Sequence, residues 1–199
     1  MPELANDLGL SKKITGVKAS GIRIFDNKVS TIPGIIKLTL GEPDMNTPEH
    51  VKQAAIKSIA DNDSHYAPQK GKLELRKAIS KYLKKATGID YDPETEIVVT
   101  VGATEAINAT LYAITNPGDK IAIPTPVFSL YWPVATLADA DYILMNTAKD
   151  GFKLTPQKLK ETIKENPTIK AVILNYPTNP TGVEYSEDEI RALAKVIEE

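Results

Sequence analysis

The sequence predicts an α/β fold with a mostly parallel sheet and helices on both of its faces. Short runs of β-branched and apolar residues, typical of buried strands, occur at residues 97–101, 121–123, 142–145 and 171–174. Segments with apolar residues at helical spacing separate these runs. A strand, a helix and a second strand in this order need a crossover connection, which favours parallel pairing of successive strands.

The first element along the chain is an N-terminal arm. Residues 1–46 have weak periodicity and are interrupted by glycine and proline. We therefore expect residues 1–46 to form an arm that contributes to a small domain. We expect residues 47–199 to form the first, incomplete part of a large domain.

Two helices are predicted before the first strand. Thr47 is expected to cap the first helix, with Pro48 as its first residue. The second helix follows Gly71, and Gly88 suits its C-terminal cap. The apolar positions predicted for the two helices are Val51, Ala55 and Ile59, and then Leu75, Ile79, Tyr82, Leu83 and Ala86.

Further helices are predicted among the strands. One spans about residues 105–114, another carries Val134, Leu137 and Ala138, and a third begins at Thr155 and Pro156. The last helix begins at Ser186, with Glu189 completing a capping box. Its predicted apolar face comprises Ile190, Leu193, Ala194 and Ile197. Because no stop signal follows before Glu199, we expect the sequence to be a truncated portion of a longer chain.

Composition argues against several classes of partner. The net charge is −2 and the basic residues are scattered, so neither nucleic acid nor an anionic membrane is an expected partner. No stretch approaches the roughly 20 apolar residues that a membrane-spanning helix needs. The chain has no cysteine, and its two histidines have no zinc-like spacing, so no metal is expected. These features lead us to expect a cytoplasmic protein.

A turn from strand to helix at residues 101–105 is the first candidate site. Free backbone N–H groups at a helix start, together with the helix dipole, favour an anion. Gly102 permits close approach of a ligand, and the Thr104 hydroxyl adds a donor or caps the helix. An ordinary turn explains the same residues about equally well.

Two further candidate segments follow predicted strands, at the strand ends where ligands collect in open α/β sheets. Residues 175–182 (NYPTNPTG) place two asparagine amides between prolines. The alternative is an ordinary proline-rich loop. So many asparagines and prolines directly after a buried strand favour a functional loop. In residues 124–133, an aromatic side chain is available to stack on a flat ligand. We interpret Tyr131 and Trp132 as core residues.

Together these segments resemble the class I/II aminotransferases, which are pyridoxal-phosphate enzymes of fold type I. The matching stretches appear in family order over nearly the whole chain, and the ordered set is specific although each motif alone is modest. They are LGEPD at 40–44, HYAPQKG at 65–71, TVGATEA at 100–106, PVF at 126–128 and NPTG at 179–182. The LGEPD stretch is most similar to the aromatic or N-acetyl-diaminopimelate branch.

The resemblance implies a pyridoxal 5′-phosphate cofactor and a role for each matching residue. Gly102, Ala103 and Thr104 are similar to the phosphate-binding turn, Phe128 to the aromatic residue stacked on the pyridine ring, and Asn179 to the asparagine that contacts the ring's phenolic oxygen. Gly41 is similar to the glycine beside the substrate carboxylate, with Phe128 and Asn179 also facing the substrate. Tyr66 matches the tyrosine that reaches the cofactor phosphate of the other subunit, which implies a homodimer.

The resemblance also implies catalytic residues that this sequence does not supply. In the family, the Schiff-base lysine, the acid that pairs with the pyridinium nitrogen and the arginine that binds the substrate carboxylate all follow the NPTG motif. None of the lysines present falls in the expected motif. We therefore expect no catalytic residue among these 199 and no activity from them alone.

Three readings of function follow from the resemblance. The leading one is an amino-acid aminotransferase, which transfers an amino group from an amino acid to a 2-oxo acid. A carbon–sulfur β-lyase on the same scaffold is its rival. A third is the aminotransferase-like sensor domain of a transcriptional regulator. That reading is disfavoured because residues 1–46 contain no helix-turn-helix pattern.

Overall fold

The computed structural model describes residues 9–17 and 21–199. These residues form two compact units. One comprises the described residues before 18 together with residues 103–199, and the other comprises residues 21–102. In chain order the helices are α1 (Lys12–Gly16), α2 (Gly21–Val29), α3 (Glu49–Ala60), α4 (Leu73–Thr87), α5 (Gly102–Ile114), α6 (Tyr131–Leu137), α7 (Pro156–Glu165) and α8 (Glu187–Glu198).

A parallel sheet lies in the unit that contains residues 103–199. Its strands are β1 (Lys120–Thr125), β2 (Asp141–Asn146) and β3 (Ile169–Val172), in the order β2-β1-β3. β1 pairs in parallel with both neighbours, as the strand–helix–strand order predicts. β3 begins two residues before the predicted run at 171–174. The Ile173 N–H still donates to the Ala122 carbonyl at 3.0 Å, so pairing continues past its end.

Both faces of β1 are buried, because its side chains alternate between two apolar clusters. Ile121 and Ile123 pack in one cluster with residues of α5 and α6, among them Leu111 and Val134. Ala122 packs in the other cluster with residues of α7, α8 and the preceding loop: Leu154, Leu159 and Leu193. The sheet therefore has helices on both faces, and the predicted α/β architecture is confirmed.

The predicted caps of the last two helices are confirmed. The Thr155 side chain accepts from the Lys158 N–H, and Pro156 is the first residue of α7. Both reciprocal hydrogen bonds of the capping box between Ser186 and Glu189 are present. On α8, however, Leu193 is buried whereas the predicted core positions Ala194 and Ile197 are exposed.

In the unit of residues 21–102, the buried face of α4 differs from the predicted one. Leu75 and Tyr82 are exposed, and Arg76 and Ser80 are buried instead. Apolar periodicity could not reveal this face, because its buried polar groups bond to backbone carbonyls of residues 71, 91 and 93. Gly88 is the predicted C-cap, with φ +78°.

Other predictions for this unit are wrong in detail. Pro48, not Thr47, is the N-cap of α3, which begins at Glu49, and no side chain caps it. Val51 and Ile59, predicted as its apolar stripe, are exposed. The helix α2 lies within the predicted arm, where the weak periodicity gave no sign of it. Residues 1–8 and 18–20 of that arm lie outside the described residues, and the boundary at 46/47 stays a prediction.

The predicted strand at residues 97–101 is not a strand in the structure. Ile97 is buried, but Val98 and Val101 are exposed. No strand in the described part of the chain pairs with this segment. A β-branched run needs a neighbouring strand to complete its ladder of hydrogen bonds, and without one its side-chain preference does not produce a strand.

No helix within the described ranges combines the length and the apolar character needed to cross a membrane.

Candidate functional site

The turn at Gly102 opens helix α5. Gly102 has φ +81°, a conformation that favours glycine, and a Cβ at this position would meet no atom of the described residues within 4 Å. Its own N–H donates to the Thr100 carbonyl at 2.9 Å, and the Thr100 hydroxyl donates to the Gly102 carbonyl at 3.0 Å. The next two amides, of Ala103 and Thr104, belong to the first turn, where helix geometry provides no acceptor. The amides of Ala103 and Thr104 are therefore the ones that this turn offers to the predicted anion.

Phe128 and Tyr131 differ in environment although they are three residues apart. Tyr131 is 8% exposed and belongs to the apolar cluster under α6, and Trp132 packs against the same cluster. Burial raises the pKa of the Tyr131 hydroxyl. The Phe128 ring is 40% exposed and meets Tyr131 edge-on, with 6.2 Å between ring centroids. Phe128 thus presents an open ring surface, whereas Tyr131 supports it from the core.

The loop that carries Asn179 has several internal hydrogen bonds. The Asn175 side-chain oxygen accepts from the Asn179 N–H at 3.0 Å. The buried Thr178 donates its hydroxyl to the Asn175 carbonyl and its N–H to the Val183 carbonyl. The Gly182 N–H donates back to the Thr178 carbonyl at 2.6 Å. Asn179 itself is exposed, so its amide is presented on a loop whose backbone is hydrogen-bonded on both sides.

A shallow cleft joins the segments that carry these two candidate residues. Val127, next to Phe128, lines it together with Asn175 and Thr178 from the Asn179 loop. Tyr185, which precedes α8, also lines the cleft, and its hydroxyl accepts a hydrogen bond from the Leu154 N–H at 2.7 Å. The cleft therefore lies where the loops after β1 and β3 meet, at the carboxyl ends of parallel strands, as predicted.

An ion pair between Lys153 and Glu189 lies beside Tyr185, which lines the cleft. The Lys153 ammonium lies 2.8 Å from Glu189 and 5.9 Å from the centre of the Tyr185 ring. The hydrogen bond from Lys153, together with the Ser186 backbone N–H, lowers the pKa of the Glu189 carboxyl. Glu189 consequently stays charged at neutral pH and joins the capping box of α8 to the loop before α7.

Gly41 and Tyr66 lie in the other unit. Tyr66 is fully exposed, and a Cβ on Gly41 would meet no atom within 4 Å. His65 is exposed beside Tyr66, and its Nδ1 lies 3.2 Å from the Asn62 carbonyl. Both candidate residues are thus open to a ligand or a partner. Their roles remain predictions, as do those of Gly102, Ala103, Thr104, Phe128 and Asn179.

Two polar residues have hydrogen bonds that the sequence patterns did not predict, Asn175 in the cleft and Arg76 in the other unit. Asn175 was noted as an amide near the strand end, but its bond to Asn179 was not predicted. The available signal was its spacing, since an asparagine side chain commonly accepts from nearby backbone amides in loops. Arg76 was not singled out, because a charged residue on a helix is usually solvated. Within the described ranges no group of three potential metal ligands occurs.

Comparisons with known proteins agree with the motif resemblance. A family model described as "Aminotransferase class I and II" matches residues 33–199. The chain is 42% identical over 188 residues to the probable N-acetyl-LL-diaminopimelate aminotransferase of Bacillus subtilis (strain 168), covering 94% of this chain and 47% of that protein. It is 35% identical to aromatic-amino-acid aminotransferase 2 of Thermococcus litoralis, covering 94% and 48%. The chain thus spans about half the length of these curated relatives.

Solved structures give the same result for the fold. The aspartate aminotransferase from Rhizobium meliloti matches with a TM-score of 0.88 and 33% identity, over 94% of this chain and 48% of that one. The aspartate aminotransferase from Thermus thermophilus with maleate matches with a TM-score of 0.87 and 33% identity, over 94% and 50%. These neighbours confirm that the chain has the N-terminal portion of fold type I.

Proposed function

The chain belongs to the class I and II aminotransferases, and we propose that the full-length protein transfers an amino group from an amino acid to a 2-oxo acid with pyridoxal phosphate as cofactor. The observation that carries this proposal is the meeting of the Phe128 and Asn179 loops in one cleft at the carboxyl ends of the strands. The proposal concerns the full-length protein, because this chain spans 47% of the length of the Bacillus subtilis relative.

The residues present fit the cofactor. The space beside Gly102 is open where a Cβ would stand, and the first-turn amides of Ala103 and Thr104 point from the start of α5. The Phe128 ring has an open surface, and the Asn179 amide is exposed. A phosphate, a flat ring and a phenolic oxygen are the three groups that these features suit.

Each residue has a distinct task in the proposed site. The amides of Ala103 and Thr104 would donate to the phosphate, with the Thr104 hydroxyl as a further donor. Phe128 would stack on the ring and exclude water from one face. Asn179 would donate its side-chain N–H to the phenolic oxygen and favour that oxygen's charged form. When bound, pyridoxal phosphate supplies an aldehyde for the substrate amine and an electron sink.

The proposed assembly is a cytoplasmic homodimer. Tyr66 would reach the cofactor phosphate of the partner subunit, which its full exposure permits. Gly41 would place its backbone beside the substrate carboxylate; a Cβ built on it would meet no atom of the described residues within 4 Å. The lack of cysteine suits a reducing compartment. Two relatives are named as a probable N-acetyl-LL-diaminopimelate aminotransferase and an aromatic-amino-acid aminotransferase, and we propose a substrate from one of these two classes.

The test is a donor–acceptor experiment on the full-length protein loaded with pyridoxal phosphate. Without an acceptor, we expect the amino-acid donor to give at most one equivalent of 2-oxo acid per active site, because the cofactor keeps the amino group. Continued formation should require an acceptor 2-oxo acid that takes the amino group. A β-lyase would instead release pyruvate, ammonia and a thiol from one sulfur-containing substrate with no acceptor. A sensor domain would bind the cofactor and an amino acid without turnover. Either of these results would overturn the proposal.

A further inference from the structure

Arg76 is a buried cation whose described hydrogen-bond acceptors are backbone carbonyls. It lies on α4 and is 8% exposed. Its Nε donates to the Gly71 carbonyl at 3.1 Å, and its Nη1 donates to the Pro93 carbonyl. A buried guanidinium is costly unless its donors are satisfied, so these bonds fix the position of the two carbonyls as well as of Arg76. The residue therefore joins the start of α4 to the turn before residue 97.

Gly71 in turn lies against the segment that leads to Gly102. The Val99 N–H donates to the Lys70 carbonyl at 3.0 Å. A Cβ on Gly71 would stand 2.7 Å from the Val99 Cβ and Cγ2, and Gly71 has φ +93°. Both the close approach and the backbone conformation require glycine here. No described strand pairs with residues 97–101, and the contacts with Lys70 and Gly71 hold Val99 against the start of α4.

The loop before Gly71 carries Tyr66. This loop ends in a turn closed by the Gly71 N–H, which donates to the Pro68 carbonyl at 2.7 Å. The Lys70 ammonium also donates to the Glu94 carbonyl at 3.3 Å. Arg76 and Lys70 thus connect the Tyr66 loop and the approach to Gly102 through the same turn at residues 92–96.

We propose that Arg76 is a positioning residue for phosphate recognition, acting through Gly71 on both the Tyr66 loop and the segment that ends at Gly102. This inference rests on the proposed function, in which Tyr66 and the turn at Gly102 contact cofactor phosphates. In the proposed function, Tyr66 contacts the partner's cofactor, and the helix turn that begins at Gly102 contacts the cofactor of its own subunit. The hydrogen bonds of Arg76 and Gly71 would therefore influence a phosphate contact in each active site of the dimer.

The test compares pyridoxal phosphate with pyridoxal, which lacks the phosphate, as ligands of the full-length protein. Arg76→Lys keeps the charge but cannot match the two-carbonyl geometry of a guanidinium. We expect it to lower the preference for the phosphorylated ligand by roughly tenfold, about the effect of one charge-assisted hydrogen bond. Pyridoxal affinity should change less than about twofold. Lys81→Met, at an exposed position of the same helix, should leave both affinities unchanged.

Gly71→Ala is the second variant, because it disturbs the Val99 contact and leaves Arg76 intact. Gly71→Ala should also lower the preference for pyridoxal phosphate over pyridoxal. The double variant with Arg76→Lys should lose less of that preference than the sum of the two single effects, since both residues belong to one hydrogen-bonded network. Equal phosphate preference in folded wild-type, Arg76→Lys and Gly71→Ala proteins would overturn the inference. A wild-type protein with no phosphate preference at all would instead overturn the proposed function.

Discussion

The side-chain oxygen of Asn175 accepts a hydrogen bond from the backbone N–H of Asn179 at 3.0 Å. This bond closes a five-residue turn, from residue 175 to residue 179, in the segment that follows β3. Asn175 is partly buried and lines the cleft, whereas Asn179 is exposed. The inner asparagine therefore sets the backbone from which the outer one presents its amide.

Asn175→Leu should weaken cofactor binding in the full-length protein although Asn179 remains. Loss of one neutral hydrogen bond costs about 0.5–1.5 kcal/mol, so we expect the affinity for pyridoxal phosphate to fall roughly two- to tenfold. Asn175→Asp keeps an acceptor oxygen in place and should retain most of the affinity. Measured dissociation constants that are equal for the Leu and Asp variants would contradict a positioning role for the Asn175 oxygen.

Phe128→Ala should mainly lower cofactor affinity, whereas Tyr131→Ala should mainly lower folding stability. The open Phe128 ring should contribute about 0.5–1.5 kcal/mol to cofactor binding by stacking, so its removal should lower affinity with little loss of stability. Removing the buried Tyr131 ring leaves a cavity and should cost about 3 kcal/mol of folding free energy. Cofactor titration and urea unfolding of both full-length variants measure the two effects. Equal cofactor affinities would show that Phe128 is not the stacking residue.

The sequence patterns correctly predicted features that depend on residues close together in the chain. The capping box of Ser186 and Glu189, the Thr155 cap and the left-handed Gly88 depend on residues within one turn, and all are present. The apolar run at Ile121–Ile123 likewise predicted a strand, and these residues lie within β1. These features need no knowledge of distant parts of the chain.

The predictions that failed depend on hydrogen-bond partners that residue type and apolar periodicity do not specify. Arg76 is buried because carbonyls at Gly71 and Pro93 accept from it, and apolar periodicity contains no information about such acceptors. The run at 97–101 has strand-forming residues but no described strand beside it. The hydrogen bond from the Asn179 N–H to the Asn175 side chain is local. Two asparagines at this spacing can adopt many loop conformations, so the sequence alone did not predict this bond.

Asp26 should show an acid-sensitive contribution to stability. The Thr39 hydroxyl donates to its carboxylate and lowers its pKa; burial opposes this, and Lys37 at 3.4 Å adds to the lowering. Because the folded-state pKa lies below the unfolded value of about 3.9, the stabilisation is complete above that value. It is lost as pH falls through the folded-state pKa.

Carboxyl NMR titration and variants measure this effect. Thr39→Val should raise the pKa of Asp26, whereas Thr31→Val, whose hydroxyl bonds the Lys28 carbonyl, should not. The difference in unfolding midpoint between the wild-type protein and Asp26→Asn should shrink as pH falls below about 4. A difference that grows in acid would contradict the assigned direction.

The 199 residues taken alone should show no transaminase activity. No lysine among them lies in the motif where the family's Schiff-base lysine is expected. The exposed Val98 also belongs to a β-branched segment that forms no strand in the described residues, and exposed strand-forming segments recruit other chains. The test is to purify these residues, add pyridoxal phosphate, reduce with borohydride and map the labelled lysines by mass spectrometry.

We expect diffuse labelling of exposed lysines, no turnover of an amino acid with a 2-oxo acid, and concentration-dependent association. Val98→Lys combined with Val101→Lys should reduce that association, because charge on an exposed strand-forming segment opposes pairing with other chains. Lys81→Met, on the exposed face of α4, is the control that should not reduce it. One stoichiometric label on a single lysine, together with turnover, would show that these residues already contain a complete catalytic centre. That result would also require a new assignment of the nucleophilic lysine.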